Sequence, residues 1–356
     1  MPLAAHITSI ALQVQGGQAN PESSTLQENP MDRRTTFSMI AIAAAAVAVG
    51  AAFPAAAQTF PNKPIRILVG TPAGAGPDVE ARQFAAQLSA ELGQPVLIDN
   101  KPGFSQMLAI EALTKLPADG YTLGMVQPSN GAANPRLYDR PPYSVEKDLT
   151  PVSQLGEHPW VLYVNANVPV KNVAEFIALA KSQPGKITYA STGVGTMLHL
   201  SGEWWQKITG TTLTHVPYGA ANWQTDLLAG TVDAVFYPLI TLSDHVKSGK
   251  LRALAISSSQ RSPQLPDVPT FAEAKVPEFE ARAWFGVVAP AGLPAPLLKR
   301  LNEASAKAAQ APAFREFMAK NGASAVGGTS ADFGSFLKSE QTKWRNIITE
   351  ANIKVE

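Results

Sequence analysis

Short runs of aliphatic and β-branched residues alternate with longer amphipathic stretches along most of the chain. The short runs predict strands at residues 65–69, 96–98, 122–126, 160–164, 188–190, 234–236 and 251–256. The stretches between them predict helices at residues 78–92, 173–182, 196–209 and 223–229. In the first helix Ala81, Ala85 and Leu88 share one face. Strand, helix and parallel strand in alternation predict an α/β fold with doubly wound sheets.

The C-terminal part breaks this alternation. One further strand at residues 285–289 is followed by predicted helices at 295–310, 313–321 and 330–351. We therefore expect the tail to return to the first part of the molecule, which makes residues 58–159 plus 284–356 one lobe and residues 160–283 a second. Loops that follow strands would then face a ligand cleft between two lobes.

The N-terminus has the pattern of an export signal. A polar lead, residues 1–30, precedes a basic segment at 31–37, an apolar run at 38–53 and the small residues Ala55–Ala57. The run is shorter than the ~20 residues that a spanning helix needs. We expect residues 1–57 to be an extension and signal peptide, cleaved near Ala57/Gln58, and the protein to reach the periplasm.

Composition excludes several functional classes. The formal net charge is +1 and no basic cluster stands out, which argues against nucleic acid as a partner. The chain has no cysteine, so disulfides, thiolate metal sites and cysteine catalysis are excluded. We expect no metal and no cofactor. The chain has 356 residues, 45% of them hydrophobic. This is enough for a sizeable hydrophobic core, and we expect two domains.

Two glycine-containing loops join a predicted strand to a helix. The first runs from Gly70 to Asp78 and the second from Ser191 to Thr196. Glycine lets backbone approach a ligand, and a helix N-terminus attracts anions. The alternative for the first loop is a tight turn with Asp78 as the helix cap. In the second, Thr196 is a natural N-cap, and His199, one turn into the helix, is expected to be structural.

Three other segments carry candidate side chains. Tyr218 and Ala220 lie in a loop that either contacts ligand or is packed by aromatic rings. Gln127 and Ser129 follow a strand end and offer polar contacts to the far end of a ligand. Asp233 is expected to orient backbone near the cleft rather than to touch an acid.

A series of short motifs in a fixed order carries a family resemblance. They are PNKPIR at 61–66, ELGQPV at 91–96, NKPG at 100–103, ADGYTL at 118–123, PGKITYAS at 184–191, GVGTMLHL at 193–200, HVPYG at 215–219, DVPTFAE at 267–273 and WFGVVAPAG at 284–292. The chain closely resembles the substrate-binding receptors of tripartite tricarboxylate transporters, also called Bug receptors. The resemblance implies a type II periplasmic-binding-protein fold with two α/β lobes and a discontinuous first lobe.

The resemblance also implies which loops hold a carboxylate. The ligand-binding residues expected from it and from the loop chemistry are Thr71, Ala73, Gly74, Gly76, Pro77, Gln127, Ser129, Ser191, Gly193, Gly195, Thr196, Tyr218 and Ala220. Asp78, His199 and Asp233 are expected to be structural residues near the site. The chain departs from the pattern of the family at residues 104–107, where Phe-Ser-Gln-Met stands in place of a glycine run. This bulkier segment would either narrow the pocket or pack against an apolar ligand body.

The function that these features predict is capture of a small organic acid by lobe closure, for delivery to the permease subunits of a membrane transporter. We expect a monomer without catalytic residues. An exported hydrolase on the same fold is one alternative, although the chain has no G-x-S-x-G, H-E-x-x-H or Walker motif. A sensory binding protein that signals to a membrane kinase is the other.

Overall fold

The computed structural model describes residues 60–138, 140–219 and 222–353. The predicted export signal and Ala220 therefore lie outside the described residues. The strands are β1 (Ile65–Val69), β2 (Val96–Asn100), β3 (Thr122–Val126), β4 (Leu149–Asn165), β5 (Thr188–Ser191), β6 (Thr214–Pro217), β7 (Ala234–Pro238), β8 (Leu251–Ile256), β9 (Arg282–Pro290) and β10 (Ser324–Ala325). Among the described residues, no helix combines the length and the apolar character that crossing a membrane requires.

Helices connect most of these strands. They are α1 (Gly76–Leu92), α2 (Met107–Thr114), α3 (Asn134–Leu137), α4 (Val145–Asp148), α5 (Val173–Ser182), α6 (Met197–Thr209), α7 (Trp223–Ala229), α8 (Leu239–Lys247), α9 (Ala295–Gln310), α10 (Pro312–Lys320) and α11 (Ser330–Glu350). A 3₁₀ turn at Phe104–Gln106 precedes α2, and a π turn at Ser129–Ala133 runs into α3.

The strands form a mixed sheet in the order β2-β1-β3-β9-β4-β7-β5-β6, with β8 and β10 also paired to β4. The pairs β1–β2, β1–β3, β5–β6 and β5–β7 are parallel, whereas every pair that involves β4 or β9 is antiparallel. The predicted α/β class is confirmed. The parallel βαβ units place the ends of β1, β3 and β5, and the loops after them, at carboxyl edges where ligands bind in such folds.

The long strand β4 links the two halves of the sheet, and its extent differs from the prediction. The sequence predicts a strand only at residues 160–164, because Pro151, Gly156 and Pro159 interrupt the apolar pattern before it. In the structure the strand begins at Leu149, and irregularities in its pairing with β9 absorb the interruptions. Its partner changes from β9 to β7 and β8 at Pro159/Trp160. The division into lobes stays a prediction.

Two buried clusters each belong to one part of the sheet, and a third contains residues of both parts, such as Val126 of β3 and Phe236 of β7. Around β1 and β3, Phe84 and Leu88 of α1 pack together with Leu301 of α9 and Phe314 of α10. The C-terminal helices therefore share a core with the first strand of the chain, although more than two hundred residues separate them. Around β7 and β8 a second cluster contains Val235, Leu239 and Ile256. These packed layers give the loops between them a rigid base.

Candidate ligand-binding site

A cavity of about 310 Å³ lies where loops from two distant parts of the chain meet. Residues 105–138 form one wall and residues 192–198 form the other. The lining residues are Ser105, Gln106, Ser129, Asn134, Leu137, Tyr138, Thr192, Val194, Gly195, Thr196, Met197 and Leu198. Of the predicted ligand-binding residues, Ser129, Gly195 and Thr196 are among them. The volume is near the lower end of the range for small-molecule sites.

The N-terminus of α6 faces this cavity, and no acidic side chain in its first turn offsets the partial positive charge of the helix end. Thr196 is the N-cap residue, as predicted, but its hydroxyl donates to Gly193 O at 2.7 Å and does not cap the helix amides. The first turn contains no acidic residue. The first amides of a helix have no partner within it, so this end carries partial positive charge. An anion in the cavity would therefore meet amides and a favourable dipole.

Glycines give the loop before α6 its shape. Gly193 and Gly195 have φ angles of 136° and 77°, which other residues rarely adopt. Gly193 N–H donates to the hydroxyl of Ser191 at 3.0 Å. Ser191 and Gly193 thus support the loop from behind, and neither lines the cavity.

Two stacked histidines lie beneath the loop. The rings of His199 and His215 are 4.0 Å apart, and His199 Nδ1 accepts from the amide of Gly195 at 3.1 Å. His215 Nε2 lies 2.5 Å from the hydroxyl of Ser191. Two different imidazoles therefore hold the glycine loop: His215 contacts Ser191 at its start, and His199 contacts Gly195 near its end. His199 thus contacts the backbone of a residue that lines the cavity, and its structural role stays a prediction.

The histidines are held in the neutral form. Burial lowers the pKa of His199 to about 4, and burial together with the charge of His199 lowers the pKa of His215 to about 4. Because His199 Nδ1 accepts a hydrogen bond, its proton in the neutral ring is on Nε2, which is 3.6 Å from Glu203. Ser191 is fully buried, so its contact with His215 supports the loop and offers no nucleophile to the cavity.

Asp78 organises the first loop, but not as the predicted helix cap. Helix α1 begins at Gly76 with Ala75 as its N-cap residue, so Asp78 is the third residue of the helix. Its carboxylate accepts from Gly74 N–H at 2.8 Å and from Arg82 Nε at 2.9 Å. The hydrogen bond from Arg82 is the largest of the effects that lower the pKa of Asp78 to about 2. A buried internal anion thus already occupies the neighbourhood of this helix N-terminus.

The first loop flanks the cavity without lining it. Thr71, Ala73, Gly74, Gly76 and Pro77 are absent from its walls. Gly70 brings the loop against the opposite segment, because a Cβ built there would lie 2.6 Å from the Cβ of Gln106. The hydroxyl of Thr71 is buried without a hydrogen-bond partner.

The bulky segment at residues 104–106 adopts a glycine-like backbone. Phe104, Ser105 and Gln106 have φ angles of 45°, 49° and 71°. Such angles are strained for residues with a Cβ and persist only where the surroundings impose them. Asn134 Nδ2 donates to Ser105 O at 2.9 Å, and the ring of Phe104 packs 4.9 Å from that of Tyr138.

Two buried asparagines, Asn130 and Asn134, shape this wall, and neither is among the residues predicted for the site. Asn130 accepts from the amide of Gln127 at 2.7 Å and donates to Met125 O at 3.3 Å, so Gln127 is fixed by its backbone. Asn130 and Asn134 are four residues apart, which places them on one side of the turn. That spacing, directly after a strand of buried residues, is the signal that could have found them.

Of three further predicted residues, Tyr218 and Asp233 do not line the cavity, and Ala220 lies outside the described residues. Tyr218 donates to Asp226 at 2.9 Å and packs with the cluster around β7. Ala220 is not among the described residues. Asp233 was placed wrongly near the site: it accepts from the amide and hydroxyl of Thr188, the first residue of β5, each at 2.8 Å. The glycine loop leaves the other end of that strand, about 10 Å away.

The lining of the cavity supplies hydrogen-bonding groups and apolar surface. Within the described ranges no group of three or more His, Asp or Glu side chains could hold a metal ion. The cavity presents helix amides, neutral hydroxyl and amide groups, and apolar side chains. This combination suits a small anion that is held by hydrogen bonds.

Comparison with known proteins gives one consistent result. Residues 80–353 match the family model described as tripartite tricarboxylate transporter family receptor. Protein BugT of Bordetella pertussis is 37% identical over 309 residues, which cover 86% of this chain and 95% of that protein.

Solved structures resemble the chain as well. Rpa4515 of R. palustris, solved with adipate, is 33% identical with a TM-score of 0.70, covering 83% of this chain and 99% of that one. MatC of Rhodopseudomonas palustris, solved with bound malate, is 28% identical with a TM-score of 0.67, covering 81% and 100%.

Proposed function

Because this chain belongs to the tripartite tricarboxylate transporter receptor family, we propose that it is a periplasmic receptor that captures a small carboxylate and delivers it to a membrane transporter. The observation that carries the proposal is the cavity at the uncapped N-terminus of α6. Its amides, its dipole and the absence of an acidic residue in its first turn suit a carboxylate. Relatives that were solved with adipate and malate support the same ligand class.

The carboxylate is held without a cationic side chain. Its oxygens accept from the first amides of α6, while Thr192 and Ser129 offer hydroxyls at the two sides of the cavity. Fixed amides need no reorganisation when the ligand arrives, which favours tight binding. The neutral histidines beneath the loop hold these amides in place and add no charge of their own at neutral pH.

Closure of two lobes completes the site in this proposal. The cavity walls come from residues 105–138 and 192–198, one on each side of the strand β4 at which the sheet changes partners. We assign residues 58–159 plus 284–356 to one lobe and 160–283 to the other. The first loop, with Thr71, Ala73, Gly74, Gly76 and Pro77, then approaches the ligand as the lobes close. The unpartnered hydroxyl of Thr71 supports this role.

Transport is the role that family membership favours. The family consists of solute-binding receptors, so the chain acts as a receptor that retains its ligand unchanged, and the permease subunits of the transporter are its partners. Export through the signal at residues 31–57, with cleavage near Ala57/Gln58, brings it to the periplasm.

Native mass spectrometry followed by calorimetry tests the proposal. Protein purified without refolding should carry a small acidic molecule, and the emptied protein should bind organic acids but not the corresponding amides. Failure of every acid in a broad panel to bind, or equal binding of acids and amides, would refute carboxylate capture. Chemical conversion of the bound molecule would instead indicate an enzyme.

A further inference from the structure

The C-terminal helix carries a buried carboxylate that does not line the cavity. Glu340 of α11 is 3% exposed, and its Oε2 atom accepts from Nε1 of Trp284 at 2.8 Å and from Nε1 of Trp344 at 3.1 Å. Its other carboxylate oxygen contacts the ammonium of Lys343, which lies about one turn further along the helix. A carboxylate is stable in a protein interior only with such partners, and hydrogen bonds to an ionised acceptor are strong. Glu340 therefore fixes the orientation of two indoles.

The first of these indoles, Trp284, supports the cavity wall at residues 105–138. Trp284 lies in β9, and a Cβ built on Gly131 would lie 2.9 Å from Cη2 of its ring. Gly131 belongs to the π turn Ser129–Ala133, whose first residue lines the cavity. The ring therefore lies directly against the backbone of this wall, so a displacement of the indole would displace the turn.

The second indole, Trp344, supports the wall at residues 192–198 through α6. Its ring packs edge-on against that of Trp204, with 5.8 Å between the ring centres, and Lys343 Nζ lies 4.9 Å from the centre of the Trp204 ring. Trp204 lies about two turns along α6 from the end that faces the cavity. The three indoles are at most 8% exposed. Because such interiors are closely packed, a shift of one ring is passed to the next.

We infer that Glu340 is a positioning residue that sets the spacing between the two walls of the cavity. One carboxylate oxygen holds the indole behind each wall, so the first amides of α6 and the polar groups at 129–134 keep a fixed separation. Packing alone does not require this charge, since apolar residues in place of a buried ion pair often cost no stability. What the carboxylate adds is direction. The inference rests on the proposed function, because it explains how the site is held ready for a carboxylate.

Hydrogen exchange of the ligand-free, full-length protein tests the positioning role directly. Glu340→Leu removes the acceptor of both indoles, so amide exchange in residues 129–137 and in residues 192–204 should become at least fivefold faster. Glu340→Gln keeps an oxygen at this place, so both segments should stay within twofold of the wild-type rates.

The matched control is Leu301→Ala, in the buried cluster around β1 and β3. This variant loses folding stability through a cavity in the core, away from both walls. Exchange in both wall segments should stay within twofold of the wild type, because these segments exchange by local opening.

Calorimetry with adipate and with malate measures the effect on binding. For whichever of the two acids the wild type binds, Glu340→Leu should bind at least tenfold more weakly, whereas Glu340→Gln and Leu301→Ala should stay within threefold. A purely structural role of Glu340 predicts instead that Glu340→Leu and Leu301→Ala lose affinity alike.

The outcomes separate the inference from the proposed function. Faster exchange of only one wall segment or of neither in Glu340→Leu, or the same acceleration in Leu301→Ala, would overturn the positioning role and leave carboxylate capture standing. An unchanged affinity of Glu340→Leu for an acid that the wild type binds would also overturn it. Binding of no organic acid by the wild type would refute the proposed function, and the exchange rates would then decide alone whether Glu340 sets the spacing.

Discussion

At the scale of single residues, the carboxylate of Asp78 is an internal anion beside the first loop, which the sequence predicts to bind an anion. Asp78 is almost completely buried and accepts hydrogen bonds from Gly74, Arg82 and Asn100. Asn100 also donates to Thr71 O, so one carboxylate ties the loop to the end of β2. This network shapes the first loop and reduces its attraction for a second anion.

Replacing Asp78 should therefore lower stability. Its pKa falls from the ordinary 3.8 to about 2, so the ionised form stabilises the fold above pH 3.8, and that contribution is lost as the pH falls through 2. Asp78→Asn should lower the free energy of unfolding by about 2 kcal/mol at pH 7. Urea unfolding measures the free energy of unfolding. The control is Asp244→Asn, at an exposed aspartate, whose free energy of unfolding should stay near that of the wild type. An Asp78→Asn protein as stable as the wild type would contradict the network.

Gly195 is the residue at which loop shape and ligand contact coincide. Gly195→Val should reduce affinity for the bound acid more than tenfold, because Gly195 lines the cavity and its φ near 77° is unfavourable for a β-branched residue. Gly210→Val is the matched control: φ at Gly210 is 60°, at the far end of α6. Both variants should lose stability, but only the first should lose binding in calorimetry. Equal affinities in the two variants would argue against the α6 site.

At the scale of elements, the glycine loop and α6 are coupled through the histidine pair. His199 accepts from Gly195 and stacks on His215, which contacts Ser191. Glu203, which accepts from Tyr189, lies on the other side of His199. Protonation of Nδ1 of His199 would remove the acceptor that holds the Gly195 amide.

Acid should therefore weaken this part of the fold. Each histidine has a pKa of about 4 when folded and about 6.5 when unfolded, so the unfolded chain binds more protons below pH 6.5. Stability is fully present above pH 6.5 and declines as the pH falls towards 4, by up to about 1.4 kcal/mol per pH unit for each histidine.

Urea unfolding between pH 7 and pH 4.5 measures this decline. His199→Asn keeps an acceptor near the Gly195 amide but cannot titrate, so its stability should depend less steeply on pH. Identical slopes in wild type and His199→Asn would exclude the histidine pair as the cause.

At the scale of the whole molecule, the proposed lobes are joined through β4 and β9. A saturating acid should bring the walls at 105–138 and 192–198 together, so the radius of gyration in small-angle scattering should decrease. Ligand at 100 times its dissociation constant should also stabilise the protein by about 2.7 kcal/mol. Stabilisation without a change in radius would show that binding needs no closure.

The sequence predicts most of the local structure because local structure depends on local pattern. Strands β1, β3 and β8 and helices α5, α7 and α9 have the predicted bounds. Prediction from the sequence failed where tertiary contacts override the local preferences of the residues. The first half of β4 contains prolines and a glycine, yet it is a strand because β9 pairs with it along its length. The 104–106 segment holds left-handed angles without glycine because Asn134 and Tyr138 hold it.

The sequence by itself determined the α/β class, the two strand–glycine–helix loops and the resemblance to a receptor family, because each depends on residues close together in the chain. Only the tertiary structure shows which of the two helix starts carries an internal carboxylate. Asp78 reaches back to the first loop, whereas the N-terminus of α6 has no side-chain cap and faces the cavity. That difference arises from side-chain hydrogen bonds and from two cavity walls, residues 105–138 and 192–198, that lie far apart in the chain. No local pattern contains such contacts.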